Sequence, residues 1–462
     1  MHLDRARASA SLRKTWAAFG FVAALGGCAS GAAPSLGAAP SLPYMQGDTA
    51  VRALAGTGAG KIEHVIYVVQ ENRSFNSMFE GFPNAHTVSS GKNSQGKTVQ
   101  LQPVRLRKLY DIDHSAGAMF EACNAPAGDL PGTHCRMNGF DRELASYGAP
   151  SDPQYVYVDH RDSKPYFDMA HEWVLADRMF ASQLDESFVA HQYIIAAQAK
   201  SSVNVPDGPW GCPGGPNDKV QTITHDRDLG PTQTPCFNYT TLGDELDNAG
   251  LSWTFYTSTF SYPTSGLWSG YQAVDHIYNG PDWKKDVITP QKRFLTDVGK
   301  GKLAKFTWIT PLCPDSDHVA CGGGYGPSWV ATVVNTVGES KFWKSTVIFV
   351  QWDDWGGLYD PVPPPFRDYD SLGFRVPLMV ISPYAKHDYV SHVQYETASV
   401  LKFAEDLFGL PALAAADRRA RSPAGDTLDF TQVPRKFVPI KSPKGLKFFM
   451  QQDNDGQAPD YE

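Results

Sequence analysis

The chain predicts an α/β fold, a central and mostly parallel sheet flanked by helices, on three observations. Residues 64–69, 346–352 and 376–381 are apolar runs with almost no polar face. Strands read this way when helices cover both sides of their sheet. Thr397, Leu401, Ala404 and Phe408 follow the last run at helical spacing, and Gly409 and Pro411 supply a stop signal. No repeat period and no block of five like charges divides the body, so residues 61–440 are taken as one unit.

Taken in chain order, the first residues read as an address. Arg5, Arg7, Arg13 and Lys14 precede the apolar run 16–25, and Leu25-Gly26-Gly27-Cys28 follows, as in an export signal whose end resembles a bacterial lipobox. Ten apolar residues fall short of the roughly 20 that a spanning helix needs. Residues 1–27 are therefore expected to be a lipoprotein signal peptide and Cys28 the lipidated residue, with ordinary signal cleavage as the alternative. That places the protein outside the cytoplasm, anchored in the bacterial cell envelope on its periplasmic or surface side. Residues 28–60, rich in Ala, Gly, Ser and Pro, read as a flexible tether.

Within the body, residues 64–69 form the first strand. Residues 80–240 are Gly-, Pro- and Asn-rich with few periodic runs, which predicts loops or a cap inserted on the sheet. Weaker strands are expected at 253–256 and 306–309, and a helix from about Pro327 to Gly338. The strands 346–352 and 376–381 and the helix ending at Phe408 complete the unit. Residues 441–462 read as a polar C-terminal tail.

Charge and cysteine content narrow the function. With 41 Lys+Arg against 49 Asp+Glu the net charge is −8, and removal of residues 1–27 takes four basic groups and one acid, leaving −11. This excludes a basic nucleic-acid binder, and nothing points to an obligate protein partner. Beyond Cys28, six cysteines fall into the sequence-local pairs Cys123/Cys135, Cys212/Cys236 and Cys313/Cys321. Disulfides in an oxidising compartment are the expectation. A four-cysteine zinc site is the rival reading, against which stands the lack of any two cysteines separated by two residues.

The chemistry is expected where strands end. Gln70-Glu71-Asn72-Arg73-Ser74-Phe75 comes after the first strand and Trp352-Asp353-Asp354-Trp355-Gly356-Gly357 after a later one. Carboxylates just past a buried run are desolvated unless a cation or donors meet them, so the two segments together favour a divalent metal over a turn role; its identity and number stay open. His114, His318 and His392 lie in polar loops and add imidazole to the oxygen donors, the ligand set of metals that polarise phosphoryl oxygens. Ser187 stands at a candidate helix start, either as an N-cap or as a nucleophile beside free amides.

Residues 64–75, 352–364 and 375–383 resemble the bacterial phosphoesterases that include haemolytic and non-haemolytic phospholipases C and the respiratory-burst-inhibiting acid phosphatases. The likeness runs from His64 to about Pro411. It implies an alkaline-phosphatase-like fold with loop-rich cap insertions. Glu71 and Asn72 would bind metal and phosphate, Asp353 and Asp354 would complete the carboxylate set, and Ser187 would attack phosphorus to give a phosphoseryl intermediate. His114, His318 and His392 would contact phosphoryl oxygens or the leaving group, or ligate metal. The chain departs from many relatives at Asp354, where they carry Glu, at Trp355 and Pro361, where they carry His, and in Val189-Ala190-His191, where they show a Pro-Asn pair. His191 either replaces a missing substrate-binding donor or packs.

The resemblance thus implies an exported, metal-dependent phosphoesterase, with phospholipase C-type cleavage of phospholipids ahead of acid-phosphatase action on small monoesters. A non-catalytic ligand-binding surface lipoprotein is the third reading. Aromatics around Trp253, Tyr256, Trp268 and Tyr271 either face acyl chains or pack in the core.

Overall fold

The computed structural model describes residues 56–208, 210–259 and 268–453. The signal peptide, Cys28 and most of the tether lie outside these residues. Eight strands make the central sheet: β1 (His64–Gln70), β2 (Val174–Ala176), β3 (Trp253–Tyr256), β4 (Val287–Ile288), β5 (Phe306–Ile309), β6 (Thr346–Trp352), β7 (Leu378–Ile381) and β8 (Tyr389–Ser391). Their spatial order is β4-β3-β5-β1-β6-β7-β2-β8. Every pairing is parallel except those of β7 with its two neighbours. All residues of β1 and β6 are buried, which is why these two runs have no polar face.

The helices that matter for the site are α1 (Phe75–Phe79), α2 (Ala116–Cys123), α3 (His160–Glu172), α4 (Ser187–Ala196), α5 (Gly326–Gly338), α6 (Ala398–Phe408) and α7 (Leu446–Gln451). Successive strand residues point to opposite faces. Gln351 donates to Thr397 at the start of α6, 3.1 Å away, whereas the next residue, Trp352, meets Tyr166 of α3 edge-on at 4.9 Å. Thus α6 and α3 cover opposite sides of the sheet. Helix α5 packs on α3, and α4 packs on α6. Pro327 in the first turn of α5 and the left-handed Gly409 after α6 set the boundaries that the sequence signals indicated.

Residues 80–240 are less loop-like than expected. They supply β2 to the central sheet and both α3 and α4 to its flanks. Helix α3 escapes a periodicity reading because it is mostly polar and carries Pro165, yet it is started by the Asp159 side chain accepting from Arg161 N–H, and it buries Tyr166, Met169 and Ala170 along one face. Strand β2 has only three residues, too few to show a period. At the other end, α7 docks Phe449 against Trp329 of α5 at 5.3 Å, so the polar-tail expectation does not describe residues 446–451.

The three cysteine pairs are disulfides: Cys123–Cys135, Cys212–Cys236 and Cys313–Cys321. Trp253, Tyr256, Trp268 and Tyr271 are core residues, none more than 7% exposed. The acyl-chain role considered for them gives way to packing: Trp253 stacks on Tyr271, and Tyr271 meets Trp308 edge-on.

Candidate active site

The central pairing builds the site. β1 and β6 run parallel with Gln70 opposite Trp352, so both strands end at the same level. Beyond that level Asp353 N–H donates to Gln70 O and Arg73 N–H donates to Asp354 O. Glu71, Asn72, Asp353 and Asp354 therefore emerge side by side, each fully buried. A buried Asp360–Arg375 pair anchors the start of α1: the Asp360 carboxylate also accepts Asn76 N–H, and Arg375 O accepts Phe75 N–H. The three stretches that carry the family resemblance are thus tied together in space.

Asn72 has a positive φ of 56°, a region that asparagine enters more readily than most side chains. Its N–H donates to Asp353 Oδ1 at 2.9 Å. The turn after β6 crosses so closely that a Cβ on Gly356 would lie 2.5 Å from Asn72 O, and Gly356 itself has φ +59°. A diglycine is needed here for close approach, as the sequence suggested.

Helix α4 brings the hydroxyl. Glu186 occupies its N-cap position and does not cap the helix through its side chain, and Ser187 is the first helical residue, which removes the N-cap reading of this serine. Ser187 Oγ lies 3.3 Å from Asn72 Oδ1 and 3.3 Å from Asp354 Oδ2. Asp354 is oriented by Gly356 N–H, which donates to Oδ1 at 2.7 Å. His114 completes this group. Its Nδ1 donates to Ile112 O at 2.8 Å, which leaves Nε2 as an acceptor for the Asn72 side-chain amide at 3.1 Å. That bond turns the Asn72 carbonyl oxygen toward the serine.

A second group lies beside the first. Glu71, His191 and Asp353 each offer a buried ligand atom, all within 4.8 Å of one another. His191 Nε2 is 3.2 Å from Glu71 Oε1 and 3.7 Å from Asp353 Oδ2. His191 reaches this place because it comes four residues after Ser187 on a helix, one turn along the same face. The i, i+4 spacing of Ser187 and His191 is the sequence signal for this pairing. Two carboxylates buried side by side are costly without a cation, and Asp353 Oδ2 accepts no hydrogen bond. The donor set, two carboxylates and an imidazole, fits a divalent ion. The expected ligands Glu71, Asn72, Asp353 and Asp354 therefore divide: Glu71 and Asp353 join His191, while Asn72 and Asp354 face the serine.

The other two loop histidines follow β5 and β8. His318 lies buried on the loop closed by Cys313–Cys321, its ring 6.0 Å from Trp268 and its Nδ1 accepting Ala320 N–H. The same loop is pinned beneath the site, where Asp317 accepts from Tyr166 and Trp352, and Arg73 donates to Asp317 O. His392 comes just after β8, three strands from β6 or about 14 Å at the usual strand spacing. It is 62% exposed and paired with Asp177 at 3.0 Å. The structure sets it apart from the serine, contrary to the role expected for it.

Burial sets the electrostatics. It pushes the Asp185 carboxyl up to about 7 against the Asn204 N–H that donates to it and the nearby His114. It also raises Glu143 well above the usual range, with Asp113 adding to the effect. Trp355 and Phe374 meet edge-on at 4.7 Å. A cavity of about 560 Å³, reached by Glu186 just before the serine, is lined by Asp111, Asp113, Ser115, Leu144, Glu186 and Asn204. Asp113 and Ser115 flank His114, and Glu186 precedes Ser187.

A sequence profile described as the Phosphoesterase family matches residues 62–411. Phospholipase C B of Mycobacterium tuberculosis is 25% identical over 401 residues, covering 76% of this chain and 74% of its own. The non-hemolytic phospholipase C of Burkholderia pseudomallei is 24% identical over 419 residues, covering 79% and 58%. A solved alkaline phosphatase superfamily protein from Vibrio parahaemolyticus aligns over 82% of this chain and 71% of its own at 11% identity, with a TM-score of 0.37.

Proposed function

The chain belongs to the Phosphoesterase family and is a hydrolase acting on phosphoester bonds, and from that premise we propose that it cleaves phospholipids in the manner of a phospholipase C, with Ser187 as nucleophile. One observation carries the reading: the Ser187 hydroxyl lies 3.3 Å from each of two buried acceptors, Asn72 Oδ1 and Asp354 Oδ2, at the first residue of a helix. Relatives bearing the name phospholipase C support the substrate class.

Asp354 Oδ2 takes the serine proton as Oγ attacks phosphorus; the bond to the leaving alkoxide breaks, the alkoxide takes a proton from solvent, and a phosphoseryl ester remains. Water then attacks phosphorus and gives its proton to solvent, and Asp354 returns the proton it holds to Ser187 Oγ as the phosphoseryl bond breaks. Asn72 positions the hydroxyl, and His114 holds Asn72 in the orientation that does so. The first amides of α4 offer donors to the equatorial phosphoryl oxygens. Glu71, Asp353 and His191 would hold a divalent cation, which when bound supplies positive charge to those oxygens and to the serine.

We further propose export and anchoring through Cys28, supported by the pattern of residues 5–28 and by the three disulfides. Cys28→Ser should move the protein from the membrane to the soluble fraction. The substrate test compares phosphocholine release from phosphatidylcholine with phosphate release from an aryl monoester. Faster turnover of the lipid supports the reading; activity confined to the monoester replaces it with the acid-phosphatase alternative.

A further inference from the structure

We propose that the surface from Arg105 to Tyr147 beside the catalytic cavity docks the protein on an anionic phospholipid bilayer. The proposal builds on the phospholipid reading of the site. It rests on three features that adjoin one another.

The first is an apolar rim. Among the described residues, Leu109, Leu144 and Tyr147 are 59%, 75% and 104% exposed, a large cost in water for side chains of their size. They lie together because two segments pair antiparallel: Ile112 bridges Ala145, Asp113 N–H donates to Leu144 O, and Ser146 N–H donates to Asp111 O. Leu144 also lines the cavity that Glu186 reaches.

The second feature is charge of the sign opposite to the whole. Arg107 and Lys108 are exposed, and among the described residues neither has an acidic partner within ion-pair distance. Arg105, Arg107, Arg161 and Lys444 converge around a second cavity of about 480 Å³, where Asp162 pairs with Arg105 and Asp159 with Arg161, leaving Arg107 and Lys444 to join Lys108. A chain of net charge −8 is repelled by an anionic surface unless such a patch meets it first.

The third feature is continuity. Gly322 leaves room for Leu109, whose Cδ2 would lie 2.6 Å from a Cβ there, and Gly324 leaves room for the Arg107 backbone. Basic cavity, Leu109, the 144–147 loop and the catalytic cavity therefore form one band. Cations at headgroup phosphates with apolar side chains inserted beside them are what binding at an anionic lipid surface requires. The active-site mouth would then face the bilayer from which a lipid must be drawn.

The test uses the full chain carrying Cys28→Ser, so that no acyl group contributes, and vesicles of phosphatidylcholine alone or mixed with phosphatidylglycerol. Sedimentation should show binding to the mixed vesicles that weakens as salt rises. Arg107→Glu with Lys108→Glu should weaken it on the order of tenfold or more. Leu109→Ser with Tyr147→Ser should also reduce it, and turnover of a water-soluble phosphodiester should be unchanged in both variants. Undiminished binding in either double variant, or equal binding to the two vesicle types, overturns the proposal. Patch-dependent binding without hydrolysis of any phospholipid would leave the docking surface standing and remove the substrate reading instead.

Discussion

Asn72 connects the two halves of the site: its backbone N–H holds Asp353 of the candidate metal group, and its side chain links His114 to Ser187. That dual role depends on a left-handed backbone with another chain segment pressed against it. Gly356→Ala would add a carbon 2.5 Å from Asn72 O at a φ that alanine avoids. The expected result is a loss of at least about 2 kcal/mol of stability, read from the denaturant midpoint, together with loss of activity. His191 adds an imidazole to the oxygen donors of the candidate metal group. His191→Gln should weaken zinc or manganese binding at least about tenfold in a calorimetric titration, with the thermal midpoint of the chelated protein little changed. Equal affinity in the variant would remove His191 from the ligand set.

At the scale of elements, the register of β1 with β6 decides the site, because two parallel strands ending in step put four polar residues in one place. The runs forming β1 and β6 are legible because burial on both faces leaves a continuous apolar sequence, and the acidic segments after them are legible as its abrupt end. The α3–β2 unit is not, since a polar helix with one buried stripe and a strand of three residues are specified by the partners they meet. His191 is visible in the sequence as a donor near Ser187, but its closeness to Glu71 and Asp353 depends on how α4 meets the sheet, which no local pattern encodes. The separation of His392 from the serine is hidden for the same reason, since an edge strand sets it, and the place of His318 is set by a disulfide loop. That loop spans a sequence separation of 8 between Cys313 and Cys321 and carries Asp317 to its bonds with Tyr166 and Trp352. Replacing both cysteines by serine should cost about 2–3 kcal/mol on the chain-entropy account, seen as a lower denaturant midpoint than that of the wild type.

For the whole molecule, the acidity read from composition is partly hidden inside. Burial pushes Asp315 up to about 7 and Asp317 up to about 6, from a usual 3.8. The folded chain therefore binds more protons than the unfolded chain between these limits, and the contribution of these groups to stability falls as pH rises through them. Asp159, held low by Arg161, titrates below 3.8 and does not oppose this trend. With chelator present, so that metal release does not contribute, the thermal midpoint should be higher at about pH 5 than at about pH 8. A midpoint that rises with pH would contradict the assignment. The site centres on one serine, and the most direct test is the steady-state rate of phosphoester hydrolysis by Ser187→Ala beside wild type, with matched metal content and matched folding by circular dichroism. A loss on the order of 10⁴-fold or more is expected if Ser187 is the nucleophile; a folded alanine variant that keeps the wild-type rate would contradict that role.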